Sequence, residues 1–124
     1  MEKKQKFSSI RPFIGAKNFN ESKAFYKDLG FEELVLFHNM SYFKIDDNLG
    51  FYLQDANVKD WIDNSMIFVE VEDLKSYLSA IEAKKLTKKY PKVKLSKIVE
   101  NDWGNEFFLH DPSGILWHFG KFKK

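Results

Sequence analysis

The chain has 124 residues, 44% hydrophobic and 17% aromatic, which is enough apolar side chain to bury the core of one compact domain. Its net charge is only +2, with lysines scattered in small clusters, which leaves no nucleic-acid footprint. The absence of cysteine excludes disulfides, thiolate metal sites and a cysteine nucleophile, and no apolar run reaches the length of a membrane span or a signal peptide. The expectation is a soluble, unprocessed, cytoplasmic protein that binds neither nucleic acid nor membrane.

After a charged tail, Ile10, Pro12, Ile14 and Ala16 alternate with Arg11, Phe13, Gly15 and Lys17. That period of two predicts a strand with an aliphatic face and a mixed one, and Pro12 assigns it to an edge or irregular position. Asn18 followed by Glu21 is a capping box that opens a helix through Phe25, Tyr26 and Leu29. Gly30 stops it, and Phe31 folds back on the last turn. Three strands are predicted next, over residues 32–38, 42–45 and 49–54, with Asp46-Asp47-Asn48 as the turn between the last two.

Residues 56–64 form a polar connector docked through Trp61 and Ile62. A second alternating strand then begins at Met66 and runs through Ile67, Val69 and Val71. Asp73 caps a helix whose Leu74, Tyr77, Leu78 and Ile81 fall at amphipathic spacing. The step from Arg11 to Asn18 equals the step from Met66 to Asp73, so the halves agree in register. A basic connector over residues 84–91 leads to a strand over 93–99. Two further strands flank Asp111-Pro112-Ser113-Gly114, which has the residues of a type I turn. The last of these, residues 115–119, is apolar on both parities and is predicted to be buried on both faces, placing His118 inside. Each half thus reads strand, helix, strand, strand, strand: an α+β chain with modules at about 8–55 and 65–121 within one domain spanning residues 1–124.

Three stretches carry a resemblance: N-F-N-E-S-K-A-F-Y-K-D-L-G-F at 18–31, M-I-F-V-E-V-E-D-L at 66–74, and W-G-N-E-F-F-L-H-D-P-S-G-I-L-W-H-F at 103–119. Together with the repeated element order they resemble the vicinal oxygen chelate superfamily of glyoxalases, extradiol dioxygenases and bleomycin resistance proteins. The resemblance implies two tandem βαβββ modules curling into one mixed-sheet cavity with helices outside, within a homodimer. In metal-using members the ligands come from the first and last strands of each module. Here those places fall on Arg11, on Gln54 or Tyr52, on Met66 and on His118. Arginine has no lone pair to give and a thioether suits hard ions poorly, so the set is short of the three protein ligands such an ion needs. No metal or other cofactor is expected.

The resemblance then points to the metal-free branch that sequesters a small molecule. Strand parity gives a lining of Arg11, Phe13, Tyr52, Gln54, Met66, Phe68, Glu70, Leu116 and His118, with Trp103 at the rim, suited to a partly aromatic ligand. The basic charge and Arg11 argue against bleomycin itself. His118 is read either as a proton donor or acceptor to the ligand or as a histidine satisfied by a backbone carbonyl. Arg11 is read either as pairing with Glu70, the simpler reading, or as clamping a substrate carboxylate. The alternative function is a divergent metal-dependent lyase, isomerase or dioxygenase using Gln54, His118 and Glu70 or a partner-chain residue. A third is an interaction module docking through strand edges or the Trp61 connector. The sequence pairs no nucleophile with an adjacent base and has no phosphate-cradling loop.

Overall fold

Two βαβββ units follow one another along the chain in the computed structural model, which describes residues 4–124. The first begins with β1 (Phe13–Gly15), which runs parallel to β4 (Leu49–Gln54) at the edge of a four-stranded sheet. Pro12, lacking an N–H, precedes that edge and still accepts from the Tyr52 N–H at 2.9 Å. α1 (Phe19–Leu29) starts where Asn18 Oδ1 accepts from the Glu21 N–H at 3.1 Å. It ends at Gly30, whose φ of 111° is the left-handed conformation a helix C-terminus needs. The Phe31 ring then lies parallel to that of Tyr26, 6.0 Å away. β2 (Glu32–Phe37) and β3 (Met40–Asp46) complete the antiparallel part of the sheet.

The second unit repeats the plan. β5 (Met66–Glu70) is parallel to β9 (Leu116–Phe122), which pairs with β8 (Gly104–His110), and β8 pairs in turn with both β6 (Lys94–Leu95) and β7 (Val99–Glu100). Asp73 caps α3 (Leu74–Ala83) by accepting from the Ser76 N–H at 3.1 Å. Three segments differ from expectation. The 56–64 connector contains α2 (Lys59–Asp63), docked by fully buried Ile62, while Trp61 faces solvent rather than packing. The basic connector folds into α4 (Leu86–Lys89) because Leu86 finds a place in the core. The single strand predicted over 93–99 is split into β6 (Lys94–Leu95) and β7 (Val99–Glu100). Between them Ser96 Oγ accepts from the Phe108 N–H at 2.8 Å, a side chain taking a ladder position on β8 (Gly104–His110).

The helix-facing sides of both sheets supply one continuous core. Ile14, Phe43, Phe51 and Leu53 from the first sheet and Phe107, Leu109, Trp117 and Phe119 from the second are all essentially inaccessible. Burial of this many aromatic and aliphatic side chains is the main stabilising term.

A polar network fastens the halves at its centre. The Tyr26 hydroxyl donates to Asp111 Oδ2 at 2.5 Å and accepts from the Trp117 indole N–H at 2.9 Å. Asp111 Oδ1 accepts from the backbone N–H groups of Ser113, Gly114 and Ile115, which shapes the predicted turn. Ser113 Oγ in turn accepts from the Lys17 N–H and meets Ser22 Oγ. The Asp-Pro-Ser-Gly corner is therefore the point where the second unit grips the first.

Candidate functional site

Strand parity leaves the opposite side of each sheet uncovered by helices, and the anticipated ligand-binding residues lie there in two groups. β9 is not buried on both faces as expected. Trp117 and Phe119 point into the core, whereas Leu116 and His118 are half-buried on the other side.

On the first sheet, Phe13 and Tyr52 are cross-strand neighbours with stacked rings 4.7 Å apart. Arg11, just before β1, lies over the Tyr42 ring at 4.3 Å and donates from Nη1 to the Tyr52 hydroxyl at 3.0 Å. That hydrogen bond raises its pKa further above the ordinary arginine value, so the guanidinium is a fixed cation. The expected Arg11–Glu70 pair is not formed. Arg11 is exposed, so no buried charge demands a carboxylate, and Glu70 Oε2 accepts instead from the Phe122 N–H at 3.4 Å. Gln54 is half-buried at the end of β4, with Nε2 4.0 Å from Met40 Sδ.

On the second sheet, Phe68, Trp103 and Phe122 form an aromatic cluster with ring centroids 5.2 to 5.8 Å apart. Gly120 makes room for it. A Cβ there would stand 2.7 Å from Phe68 Cζ, so only glycine lets that ring lie over β9. Met66 and Phe68 are 66% and 43% exposed, so neither is a core residue. Trp103, 38% exposed, is one of the three rings of the cluster. His118 lies between Phe68 on β5 and Phe108 on β8, its partners across the two ladders.

Among the described residues no backbone carbonyl satisfies His118. Its Nδ1 is 2.9 Å from Glu106 Oε1, and Glu106 Oε2 accepts from Asn101 Nδ2 at 3.1 Å. Glu106 and Asn101 were absent from the sequence-derived lining. Counting back from the Asp111 turn would have found Glu106: the hairpin pairs His110 with Leu116 and Phe108 with His118, placing Glu106 on the same face one step further along β8. His110 shares this face, its pKa lowered by burial first and then by its neighbours Lys94 and His118.

A divalent ion would draw on His, Glu, Asp or Gln side chains. His118 and Glu106 are the donors in contact, and they bond each other. Gln54 lies on the other sheet, and Arg11 and Met66 stand as the sequence placed them. Among the described residues no group of three His, Asp or Glu side chains is arranged to hold a metal. The surface offers flat apolar area, a fixed cation at Arg11 and the imidazoles of His118 and His110. A groove of 310 Å³ lies beside it, lined by Ile10, Pro12, Phe51, Ile67 and Trp117 and reaching Phe68 and Glu70.

The sequence matches no protein-family model and no curated protein. Among solved structures, the chain is similar to a bleomycin-binding protein from bleomycin-producing Streptomyces verticillus, solved with copper(II)-bleomycin, at 19% identity and a TM-score of 0.80. That match covers 97% of this chain and 100% of the other. A glyoxalase/bleomycin resistance protein from Catenulispora acidiphila matches at 18% identity and a TM-score of 0.73, over 93% of this chain and 98% of that one. A lactoylglutathione lyase from Agrobacterium tumefaciens matches at 16% identity and a TM-score of 0.68, over 94% and 96%. The chain thus shares the fold of these structures, with both βαβββ units present.

Proposed function

We propose that the protein is a metal-independent small-molecule binding protein that sequesters a partly aromatic ligand on the helix-free faces of its two sheets, and that it works as a cytoplasmic homodimer. The observation that carries this reading is the exposed aromatic surface: Phe13 stacks on Tyr52 on the first sheet and Phe68, Trp103 and Phe122 cluster on the second, on faces that no helix of the described residues covers. Contiguous apolar area of this kind marks a binding surface. A second copy of the chain closing over these faces would turn them into walls of a cavity. The bleomycin-binding relative, whose structure holds a ligand, supports small-molecule binding as the use of this fold. Arg11 supplies a place for a ligand carboxylate or another electron-rich group. Among the described residues no helix is long and apolar enough to cross a membrane.

The test is a thermal-shift screen of chelator-treated protein against planar aromatic compounds. Stabilisation that grows with ligand concentration supports the reading, and a flat response across the set contradicts it.

A second reading, a divergent metal-dependent lyase, isomerase or dioxygenase, draws on one observation: His118 and Glu106 are two adjacent candidate donors. Elemental analysis of freshly purified protein decides it. An ion near one per chain that disappears in His118→Ala would favour the enzyme.

A further inference from the structure

Resting on the ligand-binding reading, the geometry points to a specific recognition element: His118 Nε2 is a hydrogen-bond acceptor that selects flat aromatic ligands carrying a ring-bound O–H or N–H donor, and Glu106 is the positioning residue that fixes it in that role.

The argument begins with Glu106. An ionised carboxylate only accepts hydrogen bonds, and both of its oxygens are engaged, Oε1 by His118 Nδ1 and Oε2 by Asn101 Nδ2. Nδ1 must therefore carry the proton. In the neutral ring the lone pair is then left on Nε2. Nε2 has no partner among the described residues, and no buried side-chain nitrogen or oxygen lacks one, so Nε2 reaches solvent.

The surroundings choose the ligand's shape. Phe68 and Phe108 flank the imidazole from β5 and β8, with ring centroids 6.5 and 5.0 Å from it, and the Phe68–Trp103–Phe122 cluster continues the apolar surface. A flat ring laid between Phe68 and Phe108 meets the His118 Nε2 acceptor. An aromatic with a donor on its edge satisfies that acceptor, whereas its alkylated analogue leaves Nε2 desolvated and unpaired. The titratable groups facing His118 are Glu106 and His110 on β8, with Glu70 on β5 sharing the face. With the side chains of His118 and Glu106 only 23% and 12% exposed, the pair is held in place rather than waving in solvent.

The experiment compares 2-naphthol with 2-methoxynaphthalene, which share a ring system and differ in the O–H, by calorimetric titration of the full chain. The wild type should bind 2-naphthol about tenfold more tightly, the worth of one good hydrogen bond. His118→Phe should abolish the preference while keeping its affinity for 2-methoxynaphthalene.

Glu106→Gln should reduce the preference severalfold. Nitrogen NMR of the imidazole at a pH of about 8, above the ordinary histidine pKa, should show the Nδ1–H tautomer in the wild type and loss of that exclusive state in Glu106→Gln. This readout needs no ligand, and an unchanged urea midpoint in Glu106→Gln separates loss of positioning from loss of fold. Equal affinity for the two compounds, or a preference that survives His118→Phe, overturns the assignment and leaves the binding surface standing. An Nε2–H tautomer in the wild type overturns it as well. Binding of neither compound counts against the surface itself and removes the assignment with it.

Discussion

Replacing Tyr26 with Phe removes one oxygen from the centre of the molecule, and its cost follows from what that oxygen touches. The Tyr26 hydroxyl donates to Asp111 Oδ2 at 2.5 Å and accepts from the Trp117 indole at 2.9 Å, and all three side chains are inaccessible to solvent. The substitution leaves two buried groups short of a partner, one of them a carboxylate. A hydrogen bond to a charged group contributes about 1.5–3 kcal/mol, and stranding a neutral donor costs about 1–3 kcal/mol. The ring itself still packs against Phe31, Phe51 and Trp117, so no cavity term is added. Tyr26→Phe should therefore destabilise the protein by about 3–5 kcal/mol, read as a lower urea midpoint at unchanged slope. For a domain of this size that is a fall in Tm of roughly 10–20 °C. Asp111→Asn keeps the three backbone N–H bonds to Oδ1 in place and should cost less. A loss under about 1 kcal/mol for Tyr26→Phe would refute the argument that this network joins the two units.

Three further outcomes are expected. Gly120→Val puts a Cβ 2.7 Å from Phe68 Cζ and should expel that ring from its cluster, weakening aromatic ligand binding while lowering stability by only about 1–2 kcal/mol, because Phe68 is not in the core. Asn18→Ala and Asp73→Ala each remove a side-chain cap and should cost about 1 kcal/mol apiece, additively in the double variant since the caps open separate helices. Burial raises the hydroxyl pKa of Tyr26, Tyr77 and Tyr90 in the folded state, Tyr77 to about 12. The stability carried by these neutral phenols is fully present below the unfolded value near 10 and is lost as pH rises through the folded values. Thermal denaturation should therefore show Tm falling steeply above pH 10, and Tyr77→Phe should flatten that fall.

The frame of this molecule was legible because its signals are local. Asn18, Gly30 and Asp73 mark helix ends by side-chain and backbone chemistry that acts within a few residues. Alternation along Phe13, Ile14 and Gly15, and again along Met66 to Glu70, separated the core face from the open face without any knowledge of the partner strands. What stayed hidden depends on long-range geometry. Arg11 and Glu70 share a parity, yet the tilt and spacing of two sheets decide whether they meet, and Arg11 found Tyr42 and Tyr52 instead. Glu106 lies on β8, outside the first and last strands of each unit, and only the register of β8 to β9 delivers it to His118. Leu86 looked like part of a basic connector until a core existed to receive it. Trp61 looked like an anchor, and its neighbour Ile62 does that work.

The measurement that bears most directly on the central claim is a calorimetric titration of 2-naphthol into protein stripped with chelator, repeated after adding a divalent ion. The account predicts saturable binding of equal affinity in both conditions, weakened when Phe68 is replaced by Ser. Binding that appears only once the ion is restored would contradict it and return the His118–Glu106 pair to the role of metal ligands.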